Sequence, residues 1–142
     1  MNSSREEVIE AFLSLMSKGY QWGSVGRRYR SFEEFPAQEM PALMLIESNE
    51  MNAKGDRNLS ALTTLAVNLL VYVNTKNLAS PSSPINTVLD TFDFLLRGDP
   101  MTGKVTLGGL VDHCWVDGLT VKIAGEDDGI GLIWCPIKIL GP

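Results

Sequence analysis

Apolar positions along the chain follow two periods, and the switches between them divide it into elements. Ile9, Phe12, Leu13 and Met16 recur at i, i+3, i+4 and i+7, one stripe of a helix. Ser4 and Glu7 stand at capping-box spacing before that stripe. Glu6 and Glu7 suit the positive end of the helix dipole, Lys18 suits the negative end, and Gly19 supplies a stop. The spacing predicts a helix over 5–18. A second stripe, Ile85, Val88, Leu89, Phe92, Leu95 and Leu96, follows Ser83 as N-cap and Pro84 as first helical residue, and Arg97 and Gly98 close it.

Elsewhere the period is two. In LTTLAVNLLVYVNT, Leu65, Val67, Leu69, Val71 and Val73 alternate with Ala66, Asn68, Leu70 and Tyr72. The second face is part polar, so Leu70 and Tyr72 are expected to meet solvent or another subunit. PALMLIES (41–48) reads as a strand, VGRRYR (25–30) as a short one, and NEMNAKGDRN (49–58) as a mobile loop tipping a long hairpin. SFEEFPAQEMP, limited by Pro36 and Pro41, reads as an irregular connector or one helical turn. KVTLGGLV, HCWVDGLTVKIA and GIGLIWCPIKIL read as three further strands, with the last two joined by a GEDDG turn. This order predicts an α+β fold: a mostly antiparallel sheet with two helices packed on one face.

Composition narrows the function. The 142 residues are read as a single domain, 1–142, with 44% hydrophobic and 20% charged residues, an ordinary globular balance. Twelve Lys and Arg against 17 Asp and Glu give a net charge of −5, which argues against broad nucleic-acid binding. Two cysteines are too few for a disulfide framework. With strands turning near residue 127, Cys114 falls opposite roughly position 140 rather than Cys135. Both are therefore read as free thiols, which suits a reducing compartment. MNSSREEV lacks the apolar core of a signal peptide, and the uncharged run 58–75 reads as a strand rather than a membrane span.

The tempting motifs lose their force when placed on these elements. Gly98, Gly103 and Lys104 have the skeleton of a phosphate loop, but the loop follows a helix, and Val105 stands where Ser or Thr would hold magnesium. His113 and Cys114 are adjacent on a strand, so their side chains point to opposite faces and cannot form a dyad. Glu126, Asp127 and Asp128 lack the spaced ligands of a calcium loop, and a solvated turn is favoured over a weak magnesium contact. The one basic cluster is Arg27, Arg28 and Arg30 around Tyr29. On a strand, Arg28 and Arg30 would share one face, and Arg27 and Tyr29 the other. The cluster suits either an acidic partner or nucleic acid, or a charged edge strand.

Several stretches in this order resemble tailed-phage tail terminator proteins of the lambda-like type. They are GRRYRSFEEFPAQEMPALMLIE, LAVNLLVYVNT, ASPSSPINTVLDTFDFLL, and TLGGLVDHCWVDG followed by PIKIL. The resemblance spans nearly the whole chain and rests on texture and order rather than a site motif. It implies an α+β fold with an antiparallel sheet and helices on one face. It also implies a ring, typically hexameric, that caps the tail tube, ends its polymerisation and joins it to the head. The expected partners are identical copies, the tube protein on one ring face and a head-completion or neck protein on the other. DNA would pass through the lumen without sequence-specific contacts. The expected place is the tail–neck junction of the virion, assembled in the host cytoplasm, with no membrane. No enzymatic activity and no cofactor are expected, beyond a weak magnesium effect on assembly. The candidate interface or lumen residues are Arg27, Arg28, Arg30, Leu70 and Tyr72. A different neck component and a monomeric adaptor module are the alternatives.

Overall fold

The computed structural model describes residues 3–53 and 62–141. Helix α1 spans Arg5–Met16, and Ser4 caps it, its hydroxyl accepting from the Glu7 backbone N–H at 3.1 Å. The helix ends two residues earlier than its spacing predicts. Ser17 closes the last turn, which leaves Lys18 beyond the helix, and Gly19 takes a left-handed φ of 78°. Helix α2 spans Ser83–Leu95, with Ser82 as the cap residue in place of Ser83 and Pro84 in its first turn. Gly98 follows at φ 79°, its Cα so close to the Lys104 carbonyl that a side chain there would collide with it.

Among the described residues the sheet has six strands: β1 Ser24–Gly26, β2 Ala42–Ala53, β3 Leu62–Asn74, β4 His113–Val116, β5 Val121–Ile123 and β6 Ile130–Leu140. Its order is β1-β2-β3-β6-β4, with β5 also pairing with β6; β1 is parallel to β2, and every other pairing is antiparallel. The expected α+β fold is what the structure shows.

Alternation on β3 and β6 decides how the layers pack. Leu65, Val67, Leu69, Val71 and Val73 share one face with Ile133, Cys135, Ile137 and Ile139. Both helices pack there, through Val8, Ile9, Phe12 and Met16 of α1 and Ile85, Val88 and Phe92 of α2. Gly131 lets α2 pack closely on β6, because a Cβ there would lie 3.0 Å from Ile85 Cδ1 and 2.9 Å from Thr75 Cγ2. The opposite face, which carries no α-helix among the described residues, holds a smaller cluster of Phe35, Ala42, Met44, Leu70 and Tyr72.

Three strand expectations change. β2 continues to Ala53, so half of the expected 49–58 loop is ladder; residues 54–58 lie outside the described residues. A bulge between Glu47 and Glu50 shifts the register against β3, and the added residue bends the strand. KVTLGGLV is a coiled loop, not a strand: Leu107, Gly108 and Gly109 take φ values of 53°, 71° and 93°, which an extended ladder cannot contain. Its ends still anchor it, since Val105 and Val111 are buried in the helical core.

HCWVDGLTVKIA divides into β4 and β5, both on the same side of β6. The cause is Pro136. Its carbonyl accepts from Asp117 N–H at 3.0 Å, so the missing N–H of the proline faces the same way, into the break at 117–120. Gly118 turns there at φ 116°. Cys114 pairs with Ile139, one residue from the expected register, and both cysteines are free.

Burial separates two aromatic residues that look alike in sequence. Phe12 is fully buried, whereas Phe94 on α2 is 64% exposed. Phe12→Ala should cost about 3–5 kcal/mol and Phe94→Ala less than about 0.5 kcal/mol, read as denaturant midpoints.

Candidate subunit interface

The helix-free face of the sheet has its own cover, built from the connector between β1 and β2. Two 3-10 turns, Phe32–Glu34 and Ala37–Glu39, carry this segment across β2 and β3. Phe35 is its anchor: it meets Tyr72 edge-on, with ring centroids 5.4 Å apart, and is 7% exposed. The Arg30 guanidinium lies 4.0 Å above the Phe35 ring, donates to the Glu34 carbonyl at 2.7 Å and reaches Glu39 Oε2 at 3.3 Å. Tyr72 donates its hydroxyl to the Arg30 carbonyl at 3.0 Å. Burial, and then the neighbouring Tyr29, push the Tyr72 phenol up to about 12. The connector is thus stitched down by one arginine, two aromatic rings and one phenol.

That cover stops short. On the β6 and β5 side the sheet face stays open as a groove of about 300 Å³. Leu132 and Trp134 of β6 form its floor, both half-buried. One wall is Tyr29 and Phe32, 57% and 42% exposed; the other is Ile123 of β5, 50% exposed, with Asp128 at its end. The register explains the grouping, since Ile123 pairs with Leu132 and Val121 with Trp134, placing their side chains on this face. Aromatic and aliphatic side chains left this open in one contiguous groove mark a surface suited to burial against a partner.

The expected interface residues fall differently from their sequence pattern. Leu70 and Tyr72 lie on the helix-free face but are 1% and 5% exposed, beneath the chain's own connector, so they line the groove from below rather than offering themselves to a neighbour. The arginines do not alternate on a strand, because β1 ends at Gly26. Arg27 turns back to α1 and β2, meeting Glu6 and Glu10 at 2.7 Å and Glu47 at 2.9 Å. It is therefore an internal tie between layers. Arg30 holds the connector. Arg28 is exposed and forms no ion pair among the described residues. Phe32, Ile123 and Trp134 were not singled out from the sequence, and Tyr29 was read only as the centre of the basic cluster. Their signal was present in Ile130, Leu132 and Trp134, an apolar set alternating with the equally apolar Ile133, Cys135 and Ile137. A strand apolar on both sides requires a cover on both.

The residues considered for chemistry are each held by ordinary contacts. The 98–104 loop spends its amides on itself: Asp99 N–H donates to the Lys104 carbonyl, Gly103 N–H to the Asp99 carbonyl, and Met101 N–H to Asp99 Oδ1, at 2.7–2.9 Å. His113 Nδ1 accepts from the Val105 N–H at 3.1 Å, and its ring stacks on Trp115. Cys114 faces the core on the other side of the strand, where burial pushes its thiol up to about 12. Burial also raises Cys135, partly offset by the Thr120 hydroxyl, which donates to its sulfur at 3.8 Å. In the acidic turn, Asp128 Oδ1 accepts from Ile130 N–H at 3.0 Å. Among the described residues no three His, Cys, Asp or Glu side chains converge as a metal site, and no helix is long and apolar enough to cross a membrane. No family model matches the chain, and no curated protein matches it in sequence.

Two outcomes follow from the charges and thiols. The hydrogen bond and charge of Arg27 hold the Glu6 carboxyl below its usual range, as Arg5 holds Glu50. Groups lowered in the folded state stabilise it above their unfolded values, and that contribution disappears as pH falls through the folded ones. Arg27→Met should therefore lower the melting temperature at pH 7, and the gap from the parent should close from about pH 5 downward. At pH 8 a thiol reagent should titrate neither cysteine in the folded protein and both in denaturant, because each thiol is buried and its thiolate disfavoured.

Proposed function

We propose that this protein is a structural virion component, a subunit of a hexameric ring that caps a phage tail tube, ends its polymerisation and joins it to the head or neck. The observation that carries this reading is the open aromatic groove on the helix-free sheet face. A chain of this size seals one face of its sheet with two helices and leaves the other only half covered, as a subunit completed by its neighbours would. The resemblance in the order of its sequence elements points the same way, and the fold has the architecture that this resemblance implies.

The role asks for no catalysis. Its work is positional: a ring of fixed size presents one surface to the tube and another to the head, and DNA crosses the lumen. Within the arginine cluster, only Arg28 is left to face such a surface, since Arg27 and Arg30 are engaged by carboxylates of their own chain. The place of action is the tail–neck junction, reached by assembly in the host cytoplasm.

Native mass and negative-stain images of the purified chain, with and without magnesium, test the ring. Uniform six-membered rings are expected, together with arrest of elongation when the chain is added to polymerising tube protein. A chain that remains monomeric and leaves tube growth unaltered overturns the reading; rings that ignore tube ends would instead identify a different neck component.

A further inference from the structure

We propose that the groove on the helix-free face receives the outer face of α2 from a second copy, with Phe94 inserted as the knob. This deepens the ring reading and rests on it.

The argument starts from a mismatch on α2. Ile85, Val88 and Phe92 face the core, whereas Phe94 points outward and is 64% exposed. Asp90 lies one turn before it on the same helix and Asp93 adjoins it, while Arg97 follows just beyond the helix end at Leu95. The Arg97 guanidinium lies 5.2 Å from the Phe94 ring. None of Asp90, Asp93 and Arg97 forms an ion pair among the described residues. The C-terminal end of α2 and the residues just beyond it thus present acids, an aromatic ring and a base in chain order.

The groove presents the complement. Its floor and walls are apolar, its Tyr29 wall adjoins the exposed, unpaired Arg28, and its opposite wall ends in Asp128. Phe94 on Leu132 and Trp134 would set Asp90 and Asp93 toward Arg28, and Arg97 toward Asp128. Reversing the helix would set acid against acid, so charge fixes the direction as well as the fit. An aromatic anchor in an apolar pocket with charges at its rim is the arrangement that concentrates binding energy in interfaces.

Position then determines assembly. α2 packs on one face of the sheet and the groove opens on the other. One copy can use both at once, knob on one side and groove on the other. Such a head-to-tail contact propagates and closes into a ring when its rotation permits, whereas a two-fold contact would stop at a dimer.

Site-directed cross-linking reads this geometry directly. The Phe94→Cys and Ile123→Cys chains, each folded because both positions are exposed, are kept reduced and then oxidised both singly and as a mixture; the native cysteines are buried. Covalent dimers are expected only in the mixture, and a ladder ending at the ring size in the double variant. Phe94→Asp, checked for folding by circular dichroism, should weaken assembly at least about tenfold. Intact rings with Phe94→Asp and no mixed cross-link overturn the docking pair and leave the ring reading standing. A monomer that forms no cross-links at any concentration and leaves tube growth unaltered overturns both.

Discussion

The ladder between β3 and β6, running from Thr64–Leu140 to Asn74–Ile130, is apolar on both faces along much of its length, and this constraint shapes the remainder of the molecule. An alternating strand with a polar side needs one cover; this pair needs two. The helices α1 and α2 supply the first in full, with Phe12, Met16, Val88 and Phe92 closing over Leu69, Ile133 and Ile137. The second cover is a connector with two short turns. It buries Leu70 and Tyr72 but leaves Leu132 and Trp134 only half-buried. The groove is the remainder of that unequal division, and the functional reading grows from it.

Charge serves the covers before it serves any partner. Arg27 binds three carboxylates drawn from α1 and β2, and Arg30 pins the connector through Glu39, a carbonyl and the Phe35 ring. At exposed sites each such contact contributes little alone, but a guanidinium shared among several partners fixes geometry as well as adding energy. What resembled a basic display in the sequence is mostly stitching, with Arg28 left outside the pattern.

Local rules made the helices, the long strands, the acidic turn and the near-register of Cys114 legible in the sequence, because cap residues and short-range periods encode them. Less was legible where distant residues decide. Nothing near VGRRYR says that Glu6, Glu10 and Glu47 wait for Arg27, and the alternation of Leu70 and Tyr72 does not say that Phe35 lies over them. KVTLGGLV has strand-forming residues at both ends, yet the paired glycines with Leu107 turn it into a loop. The site was half visible: its floor follows from the double alternation of β6, whereas its walls come from two segments, at Tyr29–Phe32 and Ile123, that only the folded topology joins.

The proline in β6 has a consequence for the border of the sheet. Because Pro136 interrupts the side of β6 that β4 and β5 share, the sheet ends there in two short pieces of four and three residues rather than one long border. An extended chain arriving at this border finds no continuous row of free amides to template on, so cross-β growth is discouraged there. On this side strand addition is disfavoured, and the faces of the sheet are the surfaces where shape and charge can discriminate one neighbour from another.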